Sequence, residues 1–209
     1  MNFIGIDRFR AASLETEPFT HLVAPNFVSS ESLSIILDDF PKIDRGGSFP
    51  LASLNYGSVF QQFCEELRGP DLRNAFSEKL QLDLSERPTT LTVRGTCREK
   101  DGKIHTDSKS KLVTVLIYLS GPQNQSGGQL RLLRSPNIED YHAEVAPAPG
   151  TLLAFINSPT AWHGHKPFSG ERRVLQLNWV TDMAAVHRSE RRHGVSAILK
   201  RLNPFRRAA

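Results

Sequence analysis

The chain has 209 residues, of which 39% are hydrophobic and 23% are charged. This composition suits one packed domain and excludes wholesale disorder. No apolar run approaches the roughly 20 residues of a membrane helix, and residues 1–16 lack the apolar centre of a signal peptide. The only cysteines are Cys64 and Cys97. We therefore expect reduced thiols and a cytoplasmic location.

The formal net charge of +4 is unevenly distributed along the chain. Residues 187–209 contain seven Arg or Lys residues and one acid, Glu190, so this tail carries +6 and the remainder −2. A nearly neutral body lacks the electrostatic footprint of a nucleic-acid-binding domain, and we predict no specific nucleic-acid partner. The basic tail is interpreted either as a terminal helix packed on the core or as a weak contact for an acidic membrane surface or partner.

The first half of the chain predicts helices. In chain order they cover about residues 29–40, 59–68 and 71–82. Residues 19–28 form an extended lead-in, Ser29 or Ser30 provides the first N-cap, and Pro41 ends that helix. Residues 42–57 are rich in Gly, Ser and Pro, and predict a loop.

From Pro88 onwards the pattern changes to short β-rich runs divided by Gly, Pro and Asn turns. The longest runs are TTLTVRGTC, LVTVLIYLS, GGQLRLL, TLLAFI and RVLQLNWV. About eight such strands predict a mainly β fold, a sandwich or barrel, with flanking helices. We accordingly expect a domain over residues 1–186, with a helical lead-in at 18–85, a β core at 88–182 and the basic tail at 187–209.

A metal site is indicated by His105-Thr106-Asp107, which places an imidazole and a carboxylate at positions i and i+2. On a strand both side chains leave the same face. His163 is the candidate third ligand, and His165 competes with it. Two His and one carboxylate on one face leave open coordination positions, as an oxygen-activating iron requires.

A 2-keto acid that chelates such an iron has a second carboxylate, for which arginine is the best partner because its planar fork binds carboxylates bidentately. Arg173 lies ten residues after His163, at the start of the last core strand. Arg172 is adjacent and is expected to point to the opposite face.

The order of HTD at 105–107, LVTVLIYLS, GGQL and LLAFINSPTAWHGHKPFSGERRVLQLNW resembles the core of the prolyl 4-hydroxylase-like Fe(II)/2-oxoglutarate-dependent dioxygenases. The resemblance covers roughly residues 90–182 together with the helical lead-in. It implies a double-stranded β-helix (jelly roll, cupin-like) core, with Fe(II) bound by His105, Asp107 and His163.

The resemblance also implies that a basic residue nine or ten positions after the last ligand binds 2-oxoglutarate. In the family a Trp often follows that residue by six positions. Trp179 follows Arg173 by six, so Arg173 is preferred, with Arg172 as the rival. Tyr118 matches a tyrosine that helps to hold the co-substrate in the family; the alternative is that it packs in the core.

The implied activity is that of a 2-oxoglutarate-dependent dioxygenase, an oxidoreductase that uses dioxygen and releases succinate and CO₂. The expected reaction is hydroxylation of a small molecule or of a prolyl or other peptidyl residue. A requirement for ascorbate is left open. Residues 42–57 and 134–146 are expected to frame the entrance. The alternative is a cupin-like metalloenzyme that does not use 2-oxoglutarate and would not need Arg173 or Tyr118.

Overall fold

Nine strands form two antiparallel sheets in the computed structural model, which describes residues 2–120 and 127–191. The strands are β1 (His21–Ala24), β2 (Phe49–Pro50), β3 (Thr89–Cys97), β4 (Lys111–Tyr118), β5 (Leu130–Leu133), β6 (Tyr141–Val145), β7 (Leu152–Ile156), β8 (Trp162–Gly164) and β9 (Gly170–Val180). The larger sheet has the order β1-β7-β4-β9-β3-β2, and the smaller one has the order β6-β5-β8. The prediction of a mainly β fold with a double-stranded β-helix core and flanking helices is confirmed.

The helices are α1 (Ile6–Ala11), α2 (Ser30–Asp38), α3 (Ser58–Arg68) and α4 (Pro70–Leu80), and residues 183–191 are also helical. The three helices predicted from the sequence are therefore present. The Ser29 hydroxyl accepts the Ser32 N–H at 3.2 Å, which satisfies one of the unpaired amides at the start of α2. Pro70 occupies the first turn of α4, where a missing N–H costs nothing.

Three short elements of the N-terminal half were not predicted. α1 has only six residues and too little pattern to be recognised. The predicted loop at 42–57 contains strand β2 and a short 3₁₀ helix, Leu51–Ser53. Pro50 is tolerated in β2 because this strand lies at the edge of the sheet.

The strands at the centre of the larger sheet present two different faces. On β9, Leu175, Leu177 and Trp179 face a core shared with the helices, and Trp179 packs 4.7 Å from the ring of Phe76. The intervening residues face the smaller sheet. Successive side chains of a strand point to opposite faces. Adjacent residues of β9 therefore lie alternately in the core under the helices and in the space between the sheets.

A second apolar cluster lies between the two sheets. It contains Phe19, Tyr118, Leu130, Leu132, Val145, Leu153, Phe155, Ala161 and Val174. The cluster joins residues of the larger sheet to residues of the smaller one, in which β8 is held against β5 by antiparallel pairing. Within the described part of the chain, no helix combines the length and apolar character needed to cross a bilayer. Of the basic tail, residues 192–209 lie outside the described residues.

Candidate metal and co-substrate site

The two candidate histidine ligands face each other across a backbone pairing. The His105 N–H donates to the His163 carbonyl and the His163 N–H donates to the His105 carbonyl, both at 3.0 Å. The ring centroids are 4.3 Å apart. His163 lies on β8. The spacing of His105 and Asp107 predicted a strand, but these two residues lie on a segment between β3 and β4 that is not part of a strand. The isolated bridge to His163 supplies the constraint that a regular strand would have provided.

Backbone carbonyls orient both imidazoles. Nδ1 of His105 lies 2.7 Å from the Lys103 carbonyl, and Nδ1 of His163 lies 2.9 Å from the Ala161 carbonyl. An Nδ1–H that donates to a carbonyl leaves Nε2 unprotonated and able to bind a metal. His163 is additionally held by its packing against Phe155, 4.7 Å away.

Asp107 is the carboxylate of the cluster. Its side chain is only 8% exposed, and Oδ1 lies 3.9 Å from Nε2 of His105. The Thr114 hydroxyl donates to Oδ2 at 2.6 Å, and the Lys111 ammonium lies 2.7 Å from Oδ1. One donor atom from each of His105, Asp107 and His163 lies within 4.8 Å of the others, so these three side chains can reach a single ion.

The surroundings keep this cluster in the protonation state that a metal needs. Burial raises the pKa of Asp107, but Lys111, His163 and the hydrogen bond from Thr114 outweigh this effect and hold that pKa below its usual value. Burial, helped by the charge of His105, lowers the pKa of His163 to about 4. At neutral pH the carboxylate is therefore ionised and His163 is neutral, as metal ligands must be.

His165, the competing candidate, belongs to a different set of contacts. Its Nε2 lies 3.7 Å from the Cys97 thiol, and its Nδ1 lies 2.8 Å from the Lys166 carbonyl. It packs over Gly102, which has φ +73° and where any side chain would collide with the imidazole. The structure therefore separates His165 from the cluster of possible metal ligands.

Arg172 lies inside the pocket beside Tyr118. It is only 5% exposed, and its guanidinium lies 5.4 Å from the centre of the Tyr118 ring. Among the described residues Arg172 forms no ion pair with a carboxylate, and the buried Tyr118 hydroxyl faces this guanidinium without any other partner. A buried cation and a buried hydroxyl that have only each other form a site that fits a carboxylate of a ligand.

Arg173, which was preferred from its spacing, lies on the other face of β9. It stacks on Phe40 at 5.4 Å and pairs with Glu171 at 3.2 Å, in a shallow groove outside the pocket. The cavity with the candidate metal ligands is thus lined by Arg172, the rival candidate, and not by Arg173. Arg173 was preferred because it precedes Trp179 by six residues. On a strand, residues separated by an even number lie on the same face. Trp179 packs on the helices, so Arg173 faces that side as well.

These side chains open into one cavity of about 350 Å³. Its walls include Ser48, Thr92, Arg94, Cys97, Gly102, His105, Asp107, Lys111, Thr114, Leu116, Tyr118, His163, His165, Arg172, Val174, Gln176 and Asn178. Ser48 comes from the 42–57 segment, as expected for a loop at the entrance. Residues 134–146 contribute none of the described lining, because they form β6 and its turn at the outer edge of the smaller sheet.

The sequence reasoning missed the residues that support Asp107. Thr114 lies 3.2 Å from the Asn178 side chain, which donates in turn to Thr90 at 3.0 Å and accepts from Gln176 at 3.0 Å. The available signal was a polar Thr within the apolar run LVTVLIY. Its partner Asn178 is two residues after Gln176 on the inward face of β9, so the period of two could have paired them.

Comparisons with known proteins agree with this geometry. Residues 94–181 match the family model of the 2OG-Fe(II) oxygenase superfamily. Among solved structures, a prolyl-4-hydroxylase from Pseudomonas putida superposes with a TM-score of 0.55 at 16% identity, covering 85% of this chain and 93% of that one. The viral collagen prolyl hydroxylase of Paramecium Bursaria Chlorella virus-1 gives a TM-score of 0.54 at 16% identity, covering 77% and 96%.

A third structure, an oxidoreductase of the 2OG-Fe(II) oxygenase family from Burkholderia pseudomallei, gives a TM-score of 0.52 at 15% identity, covering 86% of this chain and 91% of that one. No curated protein matches the sequence. The match over residues 94–181 and the cluster of two His and one Asp make this part of the chain similar to the 2-oxoglutarate-dependent dioxygenases. The prolyl hydroxylases among the solved structures share its overall fold.

Proposed function

We propose that the protein hydroxylates a small molecule or a prolyl or other peptidyl residue, with Fe(II) bound by His105, Asp107 and His163. The observation that carries this proposal is that these three ligands line one cavity together with a buried Arg172 that has no carboxylate partner among the described residues. Nitrogen and carboxylate ligands on one side of a site suit Fe(II) and leave positions open for other ligands.

We propose that Arg172 and Tyr118, rather than Arg173, bind the distal carboxylate of 2-oxoglutarate. Both line the cavity that contains the metal ligands. The guanidinium supplies charge and two parallel donors, and the Tyr118 hydroxyl adds a third donor. An anion bound there neutralises a cation for which the described residues provide no carboxylate, so the co-substrate itself completes the site.

The protein contributes orientation and electrostatics to the reaction. When bound, Fe(II) supplies the oxidising chemistry, in which 2-oxoglutarate and dioxygen become succinate and CO₂ with one oxygen atom transferred to the substrate. Thr114 and Lys111 hold the Asp107 carboxylate in place, and the carbonyls of Lys103 and Ala161 keep both Nε2 atoms available. The apolar residues Leu116 and Val174 exclude water from part of the wall.

The test is an anaerobic titration of the protein with Fe(II) and 2-oxoglutarate, followed by the weak visible charge-transfer absorbance of the chelate. We expect the band in the wild type and its loss in His163→Ala. The matched control is His165→Ala, which removes an imidazole from the same cavity but not from the ligand cluster. It should retain the band.

A wild-type protein that binds iron but gives no band with 2-oxoglutarate would contradict the proposal. That result would favour the cupin-like alternative, in which the metal acts without this co-substrate. A band that survives in His163→Ala and disappears in His165→Ala would instead show that the third ligand is His165.

A further inference from the structure

A further cationic group, besides Arg172 and Lys111, lines the cavity. Arg94 of β3 reaches the cavity wall, and its side chain is 25% exposed. Its guanidinium contacts Asp101 at 2.9 Å and the Ser48 hydroxyl at 3.2 Å. Neither the metal ligands nor the proposed co-substrate site uses this arginine.

Asp101 does not neutralise Arg94 fully, because it is shared. Arg98 binds the same carboxylate through its backbone N–H at 3.0 Å and through its side chain at 2.8 Å and 3.2 Å. Two guanidiniums thus compete for one carboxylate, which leaves one positive charge in excess. Arg98 is absent from the described lining of the cavity and Arg94 is part of it, so the excess charge faces a bound molecule through Arg94.

The rest of the cavity does not compensate for this charge. Asp107 is the only carboxylate in the described lining, and Lys111 already pairs with it. Arg172 balances one charge of a bound dicarboxylate, and a divalent metal balances the other charge and that of Asp107. Lys111 and the excess charge at Arg94 then leave the loaded cavity positive. A loaded cavity of this kind favours an anionic substrate and disfavours a cationic one.

The sheet register places Arg94 at a useful distance from the co-substrate site. Arg94 pairs with Val174 on β9, and Val174 pairs with Tyr118 on β4. The two side chains therefore stand in one row across three strands, and their Cα atoms are about 10 Å apart for adjacent strands spaced by about 4.8 Å. A molecule that spans this row is small, which agrees with a cavity of about 350 Å³ that must also hold 2-oxoglutarate.

We propose that the substrate carries a carboxylate, and that Arg94, oriented by Asp101 and Arg98 and assisted by Ser48, binds it. This inference rests on the proposed function, since it assigns the substrate side of the same cavity. The planar fork of arginine binds a carboxylate through two parallel hydrogen bonds. Asp101 acts as a positioning residue, because it fixes the guanidinium while leaving it with excess charge.

The test uses matched ligands on the protein loaded with Fe(II) and 2-oxoglutarate. The probes are the standard L-amino acids and short aliphatic and aromatic carboxylic acids, each paired with its primary amide. Binding is measured anaerobically by calorimetry and by the shift of the charge-transfer band, and succinate release is measured in air. We expect at least one carboxylate to bind about 10- to 100-fold more tightly than its amide.

Arg94→Gln should abolish this preference without changing the affinity for 2-oxoglutarate, and Arg94→Lys should retain only part of it because the fork is lost. The control is Arg10→Gln. It removes a surface arginine that pairs with Glu78 of α4, and neither residue belongs to the described lining of the cavity. This variant should behave as the wild type. Thermal unfolding of each variant checks that the fold is intact.

The two levels of inference fail in different ways. A wild type that shows no band would overturn the proposed function and this inference together. A normal band would overturn this inference alone if no carboxylate binds better than its amide, if Arg94→Gln keeps the preference, or if Arg94→Gln loses 2-oxoglutarate.

Discussion

Replacing Arg172 with glutamine should weaken the binding of 2-oxoglutarate by roughly 100-fold, since two charge-assisted hydrogen bonds contribute about 1.5 kcal/mol each and 1.4 kcal/mol is a factor of ten in Kd. The same replacement at Arg173 should change the Kd by less than about twofold. Arg172 is buried at the cavity wall, whereas the Arg173 side chain is 32% exposed and pairs with Glu171.

The effect on stability separates binding from folding. Among the described residues the Arg172 guanidinium has no carboxylate partner, so a neutral glutamine removes an uncompensated buried charge and should not lower the melting temperature of the ligand-free protein. Arg173→Gln removes an exposed ion pair worth up to about 1 kcal/mol. Loss of co-substrate binding by Arg172→Gln would therefore not be a consequence of unfolding.

The assay is the anaerobic titration of Fe(II)-loaded wild type, Arg172→Gln and Arg173→Gln with 2-oxoglutarate. Thermal unfolding is measured on the same samples without ligand. If Arg173→Gln loses the charge-transfer band while Arg172→Gln keeps it, the assignment from the two faces of β9 is refuted.

Three further predictions test the surroundings of the site. Thr114→Val removes the hydroxyl that holds Asp107 and should weaken Fe(II) binding by about 10- to 100-fold in a metal titration; unchanged affinity would show that this hydrogen bond does not orient the ligand. Tyr118→Phe should weaken 2-oxoglutarate binding by about 5- to 10-fold, for one hydrogen bond of ~1 kcal/mol. It should lower the free energy of unfolding by no more than about 1 kcal/mol, because among the described residues the hydroxyl faces only Arg172; a larger loss of stability would reveal a structural hydrogen bond instead. Phe76→Ala empties a fully buried position against Trp179 and should lower the free energy of unfolding, measured in urea, by about 3–5 kcal/mol. A decrease below about 1 kcal/mol, the scale of a surface change, would mean that the core closes over the space left by the missing ring.

The order of helices followed by strands was predictable because it depends on local properties. Ser29 and Pro41 mark the ends of the first long helix through capping and the missing N–H. The β-branched runs between glycine turns define the core strands through their composition. The short β8 and the edge strand β2 were missed, since two or three residues carry too little periodicity to be recognised.

The sequence also singled out His105, Asp107 and His163 as the group that the fold brings together, because a short HxD spacing and a distant His form a pattern tied to one kind of chemistry. The choice between His163 and His165 was made by the tertiary structure. The backbone pairing of His105 with His163 brings the His163 imidazole towards Asp107. The His165 imidazole instead packs against Gly102 and Cys97.

The choice between Arg172 and Arg173 likewise required the folded sheet. The sequence determined that adjacent residues of a strand point in opposite directions, but it could not determine which direction is the cavity. That depends on which face of the larger sheet the helices cover, and this is fixed by contacts such as Phe76 with Trp179 that join residues far apart in the chain. The local pattern thus determined the elements and the chemistry, whereas long-range packing decided which side chains face the reacting site.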